Sequence, residues 1–157
     1  MYTLITKTFL PMPIQDAWNF FSSPKNLSVI TPDTLGFVIK SQVPEEMYSG
    51  LIISYTVKPM GNIRMTWVTE IRDVVPGTSF VDIQIKGPYK FWHHRHHFEP
   101  VEGGVVMTDT VHYILPAGFV GRLVHKALVK PRLKQIFTYR ATKLQSLFGA
   151  KFLTGNL

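Results

Sequence analysis

Between Leu35 and Leu115 apolar residues recur at every second position in one short segment after another, a period that suits strands buried on one side. Leu35, Phe37 and Ile39 form the first set, Leu51, Ile53, Tyr55 and Val57 the second, and Ile63, Met65, Trp67, Thr69 and Ile71 the third. Ser79 to Ile85, Tyr89 to Pro100 and Val105 to Leu115 extend the series. Turn residues separate the segments at Pro44, Pro59-Met60-Gly61-Asn62, Pro76-Gly77, Gly87-Pro88 and Gly103-Gly104. Connections this short join antiparallel neighbours, so the middle of the chain reads as an antiparallel sheet.

The flanks read differently. Tyr2 to Leu10 alternates and ends at Pro11, which predicts one more strand. After Pro13, residues Ile14, Ala17, Trp18 and Phe21 fall at helical spacing, and a shorter helical turn is predicted over Lys25 to Ile30. Val120 to Phe148 carries the last helical pattern, with Pro131 expected to kink it. The expected architecture is therefore α+β: a seven-stranded curved antiparallel sheet wrapped around a long C-terminal helix, with two short helices between the first and second strands. No linker or repeat divides residues 1–157, which read as one domain. A helix laid in a curved sheet leaves room for a cavity at one end, and such cavities bind apolar molecules.

Composition removes several functions. Cysteine is absent, which excludes disulfides, thiolate catalysis and cysteine-held zinc. The longest run free of Asp, Glu, Lys and Arg is Thr110 to Gly121, 12 residues, against roughly 20 for a membrane span. No signal-like start is visible, so a cytoplasmic location is expected. The net charge of +7 is uneven: residues 110–157 hold eight Lys or Arg and no carboxylate. Arg122, Lys126, Lys130 and Lys134 form an i, i+4 row that could meet an anionic membrane surface, or could be a merely solvated face. Nucleic acid is disfavoured as a partner because no stacking aromatics interleave with that row.

The segment Trp92-His93-His94-Arg95-His96-His97-Phe98 holds four histidines in five residues. Strand geometry splits them, with His94 and His96 on the face of Trp92 and Phe98, and His93 and His97 on the other. Either pair needs a third ligand from a neighbouring strand to hold zinc or copper, so no metal is expected. In the following segment Val105, Met107, Asp109, Val111 and Tyr113 share a face, and a carboxylate in that company needs a partner. One of the inward histidines is the natural one, either as a structural Asp–His bond or as an acid–base pair. Asp82 and Gln84 alternate with Val81, Ile83 and Ile85, and apolarity favours the latter set inward, leaving Asp82 and Gln84 outside the site. No phosphate-binding glycine loop, nucleophile elbow or helical metal motif occurs.

Ala17-Trp18-Asn19-Phe20-Phe21-Ser22-Ser23-Pro24-Lys25-Asn26-Leu27, Ile30-Thr31-Pro32, Phe80 to Tyr89, Trp92-His93-His94, His97-Phe98-Glu99-Pro100 and Leu115-Pro116 through Arg122-Leu123 complete the picture. With this element order, the chain resembles the SRPBCC superfamily, the START-like or helix-grip fold that includes polyketide cyclase/dehydrases and coenzyme Q-binding START proteins. The resemblance covers essentially the whole chain and implies a hydrophobic pocket under the long helix. It implies no catalytic residues.

The leading expectation is a binding protein for a hydrophobic or amphipathic small molecule, such as a lipid, isoprenoid, quinone or polyketide. The expected lining is Phe37, Tyr55, Met65, Trp67, Trp92, His94, His96, Asp109 and Tyr113, with Leu128 and Phe137 from the helix. No cofactor is expected. The alternative is a cyclase or dehydratase with His94 or His96 as general base, Asp109 as its orienter and Tyr113 polarising an oxygen.

Overall fold

The computed structural model describes residues 1–59, 63–116 and 125–156. Strand β1 (Tyr2–Leu10) is followed by helix α1 (Ile14–Phe21) and two 3₁₀ turns, Pro24–Ser28 and Asp33–Leu35. Then come β2 (Val38–Ile39), β3 (Ile52–Val57), β4 (Met65–Val75), β5 (Ser79–Lys86), β6 (Phe91–Val101) and β7 (Gly104–Ile114). A π-helical turn, His125–Val129, leads into helix α2 (Lys130–Phe148), and β8 (Lys151–Gly155) ends the chain. All strands join in one sheet of order β2-β3-β4-β5-β6-β7-β1-β8, every pairing antiparallel. Among the described residues no helix is long and apolar enough to cross a membrane.

Among the described residues the sheet therefore has eight strands, not the expected seven. The helix ends at Gly149, which takes a left-handed conformation with φ 70° that a residue without a side chain adopts freely. The chain then turns back and β8 pairs with β1, Thr8 opposite Phe152. All five β8 residues are exposed, so this edge strand buries no face and leaves no alternation to read. The second predicted helix is only a 3₁₀ turn, and the strand read from Leu35 shortens to two residues because Leu35 ends the next 3₁₀ turn at Gly36 (φ 55°). Ile63 is 70% exposed and precedes β4.

Alternation sets the inner face. Val105, Met107, Asp109, Val111 and Tyr113 of β7 are buried, as are Trp92, His94, His96 and Phe98 of β6. Strand β5 is the exception to the sequence reading. Phe80 and Asp82 pair with His96 and His94, and directly opposed residues share a face, so Phe80, Asp82 and Gln84 turn inward while Ile85 is 56% exposed. Bulges between Val68 and Thr69 and between Arg72 and Val75 interrupt the β4–β5 ladder, and such irregularities add bend and twist.

At one end α1 closes the core: Trp18 is 1% exposed and meets Phe80 and Phe98 edge-on at 6.0 and 5.9 Å. Across the concave face lies α2, which buries Leu133, Phe137, Arg140 and Leu144 at spacings of four, three and four. Pro131 stands in its first turn, where its missing N–H is not needed, and the chain ahead of it widens into the π turn instead of kinking a continuous α-helix.

Candidate functional site

Between the sheet and α2 lies a cavity of about 310 Å³. Tyr55 and Ile53 from β3, Trp67 and Thr69 from β4, and Phe80 from β5 form one wall. Val129, Leu133, Ile136 and Phe137 form the roof, and Phe37, Met47 and Tyr89 close the sides. The aromatic groups brace one another: Trp67 meets Trp92 edge-on at 5.4 Å and Tyr55 at 6.0 Å. Their polar atoms are engaged, since the Trp67 indole N–H donates to Thr69 Oγ1 at 3.0 Å and the Tyr55 hydroxyl bonds the same oxygen at 2.9 Å. Burial, opposed only weakly by that bond, raises the Tyr55 pKa and keeps the phenol neutral.

The floor is charged. His94 and His96 lie side by side on β6, their rings 3.9 Å apart, between Asp82 of β5 and Asp109 of β7. His94 reaches Asp109 Oδ1 through Nε2 at 2.9 Å and Asp82 Oδ2 through Nδ1 at 3.1 Å. His96 Nε2 bonds Asp82 Oδ2 at 3.3 Å, and its Nδ1 lies 2.8 Å from Asp109 Oδ1 but off the hydrogen-bonding direction. The Trp92 indole N–H donates to Asp82 Oδ1 at 3.0 Å. Asp82, His94 and His96 face the cavity, and Asp109, 1% exposed, lies beneath them.

Burial alone would discharge these groups, but they charge one another. Desolvation pushes the His94 pKa down, and the two carboxylates outweigh it and raise it to about 9, so both ring nitrogens donate at neutral pH. Desolvation likewise pushes Asp82 and Asp109 up, and the two imidazoles outweigh it and hold both well below the usual carboxylate range. Arg140, on the roof and 8% exposed, brings Nη1 to 3.8 Å from Asp109 Oδ1 and lies 5.1 Å from the centre of the Phe137 ring. The two carboxylates thus face the His94 imidazolium and the Arg140 guanidinium.

Of the residues singled out in the sequence, Phe37, Tyr55, Trp67, Trp92, His94, His96 and Phe137 stand on the cavity wall. Asp109 supports the floor from below. Tyr113 is buried outside the wall, its hydroxyl 2.7 Å from His125 Nε2 and its ring stacked on Tyr2. Met65 opens β4 opposite Val57, half-buried and on the inner face, but it is not part of the cavity wall. Leu128 is 53% exposed: the π turn shifts the helical phase and points Val129 inward in its place. Lys126, Lys130 and Lys134 are exposed, and Arg122 lies outside the described residues.

Two site residues escape the sequence reading. The polarity of Asp82 argues for an outward position, yet β6 offers it two imidazoles and an indole N–H. Arg140 occupies a position of the apolar stripe between Phe137 and Leu144, and that spacing is the available signal. Asp82 also supplies the third donor that a metal would need, since Asp82, His94 and His96 each bring a ligand atom within 4.8 Å of the others.

Fold and site together define an α+β protein whose antiparallel sheet and C-terminal helix enclose an apolar cavity over a charged floor. The chain matches no protein-family model and no curated protein. Solved structures do resemble it. Protein CV1439 from Chromobacterium violaceum superposes with a TM-score of 0.68 at 14% identity, over 94% of this chain and 98% of that one. TTHA0849 from Thermus thermophilus gives 0.67 at 15%, over 92% and 95%. Ara h 8.0201 gives 0.59 at 14%, over 92% and 98%. At these identities the likeness shows the fold alone, and the arrangement is consistent with a helix-grip fold.

Proposed function

We propose that the chain is a START-like binding protein of the SRPBCC superfamily that holds a hydrophobic or amphipathic small molecule, of lipid, isoprenoid, quinone or polyketide type, between sheet and α2. The observation that carries this reading is the cavity: its volume lies in the range of small-molecule sites, its walls are mostly aromatic and aliphatic, and its carboxylate and imidazole side chains gather on one floor. Catalysis of the cyclase or dehydratase type is less well supported. A general base needs a free nitrogen facing its substrate, and both nitrogens of His94 are tied to carboxylates.

Titration with the neutral fluorophore N-phenyl-1-naphthylamine tests the reading. Its emission should rise and shift to the blue with wild-type protein. Leu133→Trp, which fills the roof, should weaken binding at least about tenfold, the effect of losing ~1.4 kcal/mol, with an unchanged circular dichroism spectrum. No response from the folded wild-type protein would remove the proposal.

A second reading concerns the surface. Exposed Leu128 is flanked by exposed Lys126 and Lys130, and an apolar side chain among cations suits an anionic bilayer. With about 1 kcal/mol from each basic residue, docking would be weak and reversible. Protein should sediment with phosphatidylglycerol vesicles at low salt, and replacing Arg122, Lys126, Lys130 and Lys134 by Gln should abolish this without moving the melting temperature. Wild-type protein that stays in the supernatant at low salt would dispose of the idea.

A further inference from the structure

We propose that the cavity floor is a divalent metal site, with Asp82 Oδ2, His94 Nδ1 and His96 Nε2 as its three protein ligands. The site would take an ion of the zinc or iron(II) class and leave further coordination positions open to the cavity. It shares the cavity with the binding function proposed above but does not depend on it, because the metal can be titrated without any organic ligand.

The geometry carries the inference. Asp82 Oδ2 stands 3.1 Å from His94 Nδ1 and 3.3 Å from His96 Nε2. Ligand atoms bonded to one such ion at ~2.1 Å are separated by about 3.0–3.4 Å in octahedral or tetrahedral arrangements, so both distances have the length of a coordination edge. A proton bridges one nitrogen to one oxygen at a time, whereas an ion can engage all three atoms together. Two neutral imidazoles and one carboxylate with open positions form the donor set that zinc and non-haem iron(II) take. No cysteine exists in the chain to favour a softer ion.

The surroundings match what such ligands need. A coordinating imidazole is held by a carboxylate at its other ring nitrogen. Here one atom serves both rings: Asp109 Oδ1 lies 2.9 Å from His94 Nε2 and 2.8 Å from His96 Nδ1. His96 Nδ1 is fully buried and has no hydrogen-bond partner in good direction, with Asp109 Oδ1 the acceptor beside it. The Trp92 indole N–H occupies Asp82 Oδ1 and leaves Oδ2 for the metal. These ligands come from adjacent strands, Asp82 directly opposite His94, so the sheet sets their spacing. All three ligand residues face the cavity while Asp109 does not, which puts the open positions on the side where an organic molecule would enter. With neutral imidazoles, a dication, two carboxylates and Arg140 sum to one positive charge. That favours an apolar ligand ending in an anionic oxygen.

Cobalt(II) added to chelator-treated protein is the test. One equivalent per chain should bind and develop visible d–d absorption, and zinc should displace it. Nuclear magnetic resonance of the cobalt protein should show two hyperfine-shifted imidazole N–H signals that exchange slowly, because both N–H groups are buried against Asp109. Zinc affinity should fall about 100-fold or more in His94→Gln and in Asp82→Asn. The variant His93→Gln/His112→Gln, which removes the histidine pair on the opposite face, should bind as wild type does. Absence of cobalt binding by wild-type protein overturns the proposal. So does binding that is lost in His93→Gln/His112→Gln, or a cobalt spectrum without two protected N–H signals. The last readout needs no variant and decides the matter even if His94→Gln fails to fold.

Discussion

Asp109→Asn is expected to lower the free energy of unfolding at neutral pH by about 3–5 kcal/mol, the cost of removing one partner from a buried charged network. The side chain is 1% exposed, and its Oδ1 serves two imidazoles while Arg140 approaches at 3.8 Å. Thr6 adds a weak contact to Oδ2 at 3.5 Å. Asparagine keeps the shape but not the charge, so the His94 imidazolium is left with Asp82 alone and the Arg140 guanidinium loses its nearby carboxylate. Urea unfolding monitored by tryptophan fluorescence measures the change. A loss under about 1 kcal/mol, the worth of an exposed pair, would mean that the network is not the buried charged unit described above.

A large pH effect is expected from the same groups. Because the folded-state pKa of His94 is raised from 6.5 to about 9, its stabilisation is complete below pH 6.5 and is lost as pH rises through 9. The full contribution is about 3 kcal/mol at 1.36 kcal/mol per pKa unit. Asp82 and Asp109 act in the opposite sense. Their folded pKa values lie below the ordinary one, so their stabilisation is present above about pH 4 and is lost on acidification. Chelator-treated protein should therefore be most stable between about pH 4 and 6.5 and weaken steadily to pH 9. His94→Gln should abolish the alkaline decline while keeping an acid limb. An alkaline slope that persists unchanged in that variant would assign it to another group.

The grouping of His94, His96 and Asp109 was legible because a tight turn fixes the register. Gly103, with φ 78°, forms the tip of the β6–β7 hairpin, and from there alternation places His96 opposite Asp109 without further information. The β5 face was not legible by the same means. The segment after Lys86 is held by Gln84, whose amide donates to the Tyr89 carbonyl at 2.7 Å and accepts from the Tyr89 N–H at 3.3 Å. A side chain read as outward thus organises the connection, and counting apolar residues could not anticipate it. The burial of Asp82 is offset by partners ten to fourteen residues away. Leu128 failed for a local reason, since the π turn before Pro131 breaks the 3.6-residue count on which the roof assignment relied. Strand β8 failed because wholly exposed residues write no pattern.

The division of labour between floor and roof bears on how such a protein can change. Every charged floor residue belongs to a central strand paired on both sides, and altering either histidine disturbs partners on two other strands. Leu133, Ile136 and Phe137 belong to a single helix whose backbone bonds are made within itself. Substitutions there can reshape the cavity while the strand ladder and its chemistry stay in place. Descendants of one such chain could therefore diverge in the molecules they accept by drift along one helix face, while inheriting an identical polar floor.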